Sequence, residues 1–300
     1  MTAQTDSTVA VARPASRRAR TGLLRDPRLT PQLVVGVGML IAIALFAILG
    51  PLLVDPKMAN VTATTPRLPP SAEHWLGTDT QGRDLWTVMA LAVPNTLKIG
   101  LIAGIVGTVI GVVLALIAGF FGGLPDSIIR LICDSLLTVP GIAILVIIAA
   151  NIEQMTVEVM ALTVAALAWM FPTRTIRAQV LTIRERSYVE VARASGVGSR
   201  GLIFREIMPN LMPFIAASFV GAVAGAMLAS IGLEALGLGA IQTQTLGITI
   251  YWSQEYTAVL RGMWWWWAPP VVAISLIFLA LFLTSAGMDR FANPRLRRSA

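Results

Sequence analysis

The side chains from which this chain could build a reaction centre are sparse: one histidine, one cysteine and 16 acids in 300 residues. Cys133 stands alone at the edge of an apolar run, so no intramolecular disulfide is available to it. The densest ionisable cluster is His74-Trp75-Leu76-Gly77-Thr78-Asp79-Thr80-Gln81-Gly82-Arg83-Asp84. Two glycines set among two acids and an arginine predict tight turns tied by ion pairs, a folded cap whose acids satisfy Arg83 in preference to a ligand. His74 lacks the further ligands that a metal site requires, so it is read as structural and no metal is assigned. No G-x-S-x-G elbow or paired His/Asp/Glu constellation occurs, which disfavours a membrane-embedded enzyme. No G-x-x-x-x-G-K-[ST] loop occurs either, so phosphate chemistry would have to lie on another chain. No catalytic residue is assigned.

The residues best suited to mechanical work lie in 173–212, a basic, amphipathic stretch that is long for a simple connection. Val180, Ile183, Val189 and Val191 are spaced among Arg and Glu. Helix-forming residues run to Ser195 and meet a break at Gly196, with a second glycine at 198 and Ser199 placed as an N-cap. A short helix is expected from there through Met208, with Pro209 marking the turn into the next apolar run. Helix, glycine elbow and second helix make a lever that another protein could grip. Ile203 and Phe204 would be its anchors, and the arginines would steer the partner.

The elements that must hold these groups are set by hydropathy. Apolar residues make up 56% and charged residues 13% of the chain, where a soluble domain carries about a quarter charged. Uncharged runs at 33–54, 99–125, 135–152, 159–173, 207–233 and 262–288 predict about six transmembrane helices, that is, an all-α polytopic membrane bundle. Continuous rather than alternating runs disfavour a lipid-facing β-barrel. The first run is too long for a secretory signal core and is read as a retained span. We divide the chain into a cytoplasmic tail (1–32), a first span (33–54), an external loop (55–92), a core transmembrane domain (93–288) and a cytoplasmic C-terminal tail (289–300).

Charge orients the bundle. With both termini inside, Arg13, Arg17, Arg18, Arg20, Arg25, Arg28, Arg130, the seven arginines of the 173–212 loop, Arg290, Arg295, Arg297 and Arg298 are all cytoplasmic. These are eighteen of the 23 Lys and Arg residues. Lys57, Arg67, Arg83, Lys98 and Arg261 fall on the outer side, Lys98 snorkelling outwards. The stretch 235–254 has Gln242, Thr243, Gln244 and Thr245 at its middle and is expected as an external, partly re-entrant loop. The net charge of +7 serves orientation and anionic lipid, because it is scattered without interleaved aromatics; a nucleic-acid partner is not expected.

Within the spans, Gly100/Gly104, Gly107/Gly111 and Gly221/Gly225 are four apart, the spacing that lets helices approach closely in lipid. Trp264-Trp265-Trp266-Trp267 fits an interfacial aromatic belt, with a carbohydrate-stacking platform as the second reading. Arg130 and Asp134 share one helix face and can pair. No chain of buried acids or histidines marks a proton pathway, which disfavours an ion-coupled carrier and places the energy source elsewhere.

Here a resemblance becomes specific. Glu190, Ala192, Gly196 and the ending Ile207-Met208-Pro209 resemble the EAA loop of ABC-importer permeases in order, with Val191 departing from the family's middle alanine. Gly77-Thr78-Asp79 with Gly82-Arg83-Asp84 is similar to the family's GTDxxGRD element. Arg130, Asp134 and Pro140 follow the spacing of the dipeptide/oligopeptide/nickel permeases, and Asn293-Pro294-Arg295-Leu296-Arg297 resembles their NPRLR-type ending. The likeness runs from about residue 30 to 298. It implies a type I ABC importer permease fold and a C-type permease subunit in the bacterial cytoplasmic membrane. The implied partners are a B-type permease subunit in a heterodimer, two ATP-binding subunits and an external solute-binding protein. No cofactor is expected in this chain, with ATP and Mg on the partner subunits. Glu190, Ala192, Gly196, Ser199, Ile203, Phe204, Arg205 and Pro209 are expected to couple to the ATPases. Gly77, Asp79, Gly82, Arg83, Asp84, Arg130 and Asp134 are expected to be structural. Peptides are the default solute by resemblance, with oligosaccharides or nickel as alternatives; substrate-binding residues are not assigned.

Overall fold

The computed structural model describes residues 30–292, with side chains described as far as Met288. The arginines of the N-terminal tail and the 293–300 ending lie outside the described residues, as does the side chain of Arg290. Among the described residues regular structure is helical, apart from one isolated antiparallel bridge between Thr78 and Asp84. In chain order the helices are α1 (Pro31–Leu49), α2 (Leu85–Leu116), α3 (Gly123–Thr138), α4 (Gly141–Ala150), α5 (Val157–Ala168), α6 (Met170–Arg184), α7 (Ser187–Ala194), α8 (Ser199–Gly201), α9 (Met208–Ala235), α10 (Leu246–Glu255) and α11 (Trp264–Ala292). A π-helical segment, Ile117–Phe121, prolongs α2, and another, Leu202–Ile207, joins α8 to α9.

Four continuous helices are long and apolar enough to cross a membrane: Pro31–Leu52, Leu85–Phe121, Ser199–Ala235 and Trp264–Met288. Two bent pairs, α3 with α4 at 83° and α5 with α6 at 40°, bring the number to six when each counts as one span. The bends have local causes. Val139 is extended ahead of Pro140, as steric clash with a proline ring requires. Pro172 has no N–H to offer the carbonyl four residues back at Ala168, where α5 ends.

Three boundaries differ from the sequence reading. The helix after the cap starts at Leu85 rather than 93, because Asp84 is its N-cap and accepts from the Thr87 N–H at 2.9 Å. No turn occurs at Pro209, which lies inside a continuous helix directly after the π-helical Leu202–Ile207 segment. Residues 199–235 therefore form one helix of 37 residues, about 55 Å at 1.5 Å per residue and well beyond the hydrocarbon thickness. Ser199 is the first helical residue instead of the cap, which is Gly198 without a side-chain bond.

Helix α2 is the central post, packed against α5, α6 and α9, while α1 lies along α11. The close approach depends on glycine. A Cβ at Gly100 or Gly104 would sit 2.3 or 2.4 Å from Met227 or Val223 of α9, and one at Gly107 or Gly111 would sit 2.7 Å from Ala168 or Pro172. Gly221 and Gly225 behave otherwise: nothing lies within 4 Å of their Cβ positions, so they join no packing within this chain. The α1–α11 contact uses Gly36 and Gly287, against Thr284 and Leu33, a pair the spacing did not reveal.

Candidate functional site

The 173–212 region is built on a small apolar core of its own. Ile176, Val180, Ile183, Val189, Leu202, Ile207 and Leu211 are buried together with Ala115 and Leu116 from the end of α2. Each such side chain contributes about 1.5–3 kcal/mol when withdrawn from water, enough to fix α6, α7 and the 199–207 segment against the bundle. Val191, expected among these apolar positions, is instead 65% exposed.

The elbow between α7 and α8 closes by hydrogen bonding. Gly196 N–H donates to Arg193 O at 3.0 Å and Val197 N–H to Ala192 O at 3.1 Å, the paired bonds of a Schellman motif. Gly196 has φ of +84°, and Ala192 and Val197 pack on the apolar core beneath. Of the residues expected to couple, Ala192 and Ile203 are half-buried supports, while Glu190, Ser199, Phe204, Arg205 and Pro209 are exposed. Phe204 is 63% exposed although Leu202 and Ile207, on the opposite side of the same segment, are buried. That is an aromatic knob on a fixed base. Burial pushes the Tyr188 phenol above its usual range, with Arg186 drawing it back.

Not all of the loop arginines are free to steer. Arg177 is bound bidentately by Asp126 of α3, and Arg184 donates from Nη1 to the carbonyls of Gly119 and Phe120 at 3.0 and 3.2 Å. The latter caps the π-helical end of α2. Neither tie was legible in the sequence, since the partners are 51 to 65 residues away. Asp134 and Arg130 do not pair as their spacing predicted. Asp134 lies 3.9 Å from Arg174, and among the described residues Arg130 makes no ion pair.

At the other end of the bundle the cap is tied as its residue types imply. Asp79 is fully buried; its Oδ1 accepts from the N–H groups of Gln81 and Arg83 at 2.8 and 2.9 Å, and its Oδ2 from Arg83 Nε at 2.5 Å. Asp84 accepts from Thr87 and lies 3.0 Å from His74 Nδ1, so His74 is structural. Gly77 and Gly82 take φ of +68° and +73°, and a Cβ on either would strike a carbonyl of the 64–68 strand of chain at 2.5 or 2.4 Å.

The four tryptophans divide. Trp264 and Trp267 are exposed, Trp265 Nε1 donates to Thr78 O of the cap at 3.3 Å, and Trp266 is fully buried in a stack with Tyr256 and Trp252. The stack closes on itself under Arg83, 6.0 Å from the Trp252 ring centre, so it offers no open platform to a sugar. The 235–254 stretch contains the short helix α10, whose buried start is tied to α2 by Thr96 Oγ1 accepting from Leu246 N–H at 2.9 Å. Glu234 at the end of α9 is fully buried beside it, and a Cβ at Gly247 would meet its Oε2 at 2.2 Å. Lys98 pairs with Glu158 at 2.5 Å across the same end instead of standing alone. Among the described residues no group of three His, Cys, Asp or Glu side chains could hold a metal.

Residues 111–298 match the family described as binding-protein-dependent transport system inner membrane component. The chain is 31% identical over 266 residues to the dipeptide transport system permease protein DppC of Bacillus subtilis, covering 88% of this chain and 82% of that one. It is 32% identical over 212 residues to DppC of Alkalihalophilus pseudofirmus, covering 69% and 68%. It is also 31% identical over 172 residues to the oligopeptide transport system permease protein OppC of Mycobacterium tuberculosis, covering 57% and 59%.

Proposed function

The chain belongs to the family of binding-protein-dependent transport system inner membrane components, multi-pass permease subunits that are not themselves catalytic, and from that premise we propose how this one works. It is the permease of an ABC importer for small peptides, the solute class named for its relatives. It pairs with a second, B-type permease, two ATP-binding subunits that carry ATP and Mg, and an external solute-binding protein. Both termini and the 173–212 region face the cytoplasm, and the cap faces out.

The carrying observation is the 199–235 helix, which begins as an exposed knob at Phe204 and continues without a turn into the membrane. Closure of the ATPase subunits on ATP pushes that knob; the apolar core around Val189 and Ile207 prevents the push from dissipating in a loose loop. The displacement passes along α9 and opens the bundle outward to receive solute. Hydrolysis resets it. The sequence shows no chain of buried acids or histidines of the kind that marks a proton pathway, in keeping with an external energy source.

Phe204→Asp in the assembled importer tests this. Peptide uptake into vesicles and peptide-stimulated ATP hydrolysis should fall by at least about tenfold, the effect of losing one anchor of about 1.4 kcal/mol or more. Insertion and assembly should remain. Undiminished uptake would refute coupling through the 199–208 segment. An oligosaccharide is the second reading of the solute, and of the tryptophans that raised it Trp266 is buried while Trp264 is exposed.

A further inference from the structure

Helix α6 holds two different neighbours with two arginines seven residues apart. At 3.6 residues per turn that spacing puts Arg177 and Arg184 on nearly the same line along its surface. Arg177 forks onto Asp126 of α3, with Nη2 donating to Oδ2 at 2.6 Å and Nε to Oδ1. Arg184 Nη1 donates to the carbonyls of Gly119 and Phe120, in the π-helical end of α2, at 3.0 and 3.2 Å. Between the two arginines Val180 sits against Gly119, where a Cβ would lie 2.7 Å from the valine Cγ1.

The chain between the two attachments is a joint. Gly122 and Gly123 separate the π-helical end of α2 from α3, and both have positive φ, +66° and +62°. Gly122, with ψ of −157°, lies in a region that is essentially restricted to glycine. Space is not the reason for either residue. Nothing lies within 4 Å of a Cβ built on Gly123, and the nearest atom to one on Gly122 is Arg184 Nη1 at 3.7 Å. A pair of such residues can absorb the few φ/ψ changes that redirect everything after them.

The arm beyond the joint is lightly held. Of α3 only Cys133 is buried among the described residues, and at its far end the chain turns by 83° into α4. Its two ion pairs to α6 differ in kind. The side chains of Asp126 and Arg177 are 17% and 19% exposed, whereas Asp134 and Arg174 are 54% and 68% exposed and 3.9 Å apart, a geometry that holds little. Asp126 is therefore the firm attachment of the arm, one turn past the joint. The buried side chains of α6, Ile176, Val180 and Ile183, belong to the same apolar core as Val189, Leu202 and Ile207. A displacement of that core thus reaches both sides of the joint.

We propose that α6 is a rocker across the α2–α3 joint, with Arg177 and Arg184 as positioning residues that turn the α3 arm when the 199–207 segment is pushed. Arg184, bound to backbone, is the fixed side, the Val180–Gly119 contact is the fulcrum, and Arg177, bound to Asp126, is the moving side. This second branch of transmission beside α9 rests on the lever reading above and adds the branch and its residues.

The test uses the complete importer in liposomes, with Cys133→Ser as background and spin labels on Leu131→Cys of the arm and Val109→Cys of α2, two exposed positions. In the parent, ATP with vanadate should shift the mean label distance by about 2 Å or more. Asp126→Asn with Arg177→Gln leaves no unpaired buried charge. This double variant should abolish the shift and lower the peptide moved per ATP hydrolysed about tenfold, the effect of losing one charge-assisted contact. Arg184→Gln, which removes the fixed side and leaves the Asp126–Arg177 pair whole, should act in the same direction. Asp126→Glu, which keeps the pair, should retain the shift. Absence of a shift in a parent complex that imports peptide overturns the proposal. An undiminished shift in whichever of the two disrupting variants assembles also overturns it. Uptake and hydrolysis falling together at a constant ratio would make the arginines structural only, and overturn it too. All three results leave the lever reading standing; that reading falls if Phe204→Asp imports peptide as the parent does.

Discussion

Gly196 holds φ at +84° with open space around it, so its requirement is conformational rather than steric. Alanine there should cost about 1–2 kcal/mol for the left-handed backbone, and proline should in addition abolish the bond to Arg193 O. Gly196→Pro should therefore stop peptide uptake and peptide-stimulated ATP hydrolysis while leaving membrane insertion intact, with Gly196→Ala between it and the parent. Vesicle uptake alongside a membrane-fraction blot would check both. Asp79 is the opposite case, a residue held by its partners. Asp79→Ala would leave the buried Arg83 guanidinium and two N–H groups unsatisfied, a loss of about 3–5 kcal/mol. The expected outcome is a lower melting temperature of the purified complex and faster proteolysis within 55–84. Equal melting temperatures would show that the cap does not depend on this ion pair.

Helices carry the next level of consequence. Because α2 meets α9 through Gly104, a methyl group there must displace Val223, and overpacking of this kind costs about 1–3 kcal/mol. Gly104→Ala should lower the melting temperature of the chain, whereas Gly221→Ala should leave it unchanged, since its Cβ position is empty. Thermal denaturation of the two variants in detergent separates a packing glycine from one that meets nothing within this chain, at equal spacing in the sequence. The two π-helical segments both lie at the cytoplasmic end under the proposed orientation, one capped by Arg184 and one carrying Phe204. Widened turns of this sort occur frequently at functional sites. Here they sit at the two places where the lever joins the bundle.

At the scale of the whole molecule, the proposed importer reading places energy conversion on the partner subunits. The purified chain in liposomes should therefore accumulate no peptide under an imposed ion gradient, and uptake should appear only when the second permease, the ATPase subunits, the binding protein and ATP are all supplied. Gradient-driven uptake by the chain alone would place it among ion-coupled carriers instead. The charge asymmetry of the sequence is large, and under the proposed orientation it puts the Phe204 knob on the side of the proposed ATPase subunits.

Much of this was settled by residues close together in the chain. Hydropathy over some twenty residues makes each span, a glycine and two hydrogen bonds make the elbow at 196, and Asp79 with Arg83 makes the cap, all within a few positions of one another. Such features depend on local chemistry and were legible before any fold was known. The tertiary structure decided what required distant partners: that Arg177 and Arg184 are tied, that Trp266 is core and Trp264 surface, that Gly100 to Gly111 pack and Gly221 and Gly225 meet nothing within this chain. Identical residue types at identical spacing acquire different roles because burial and pairing are set by which helices meet, and in a bundle those helices are joined across 50 to nearly 200 residues, as from Asp126 to Arg177 and from Thr78 to Trp265.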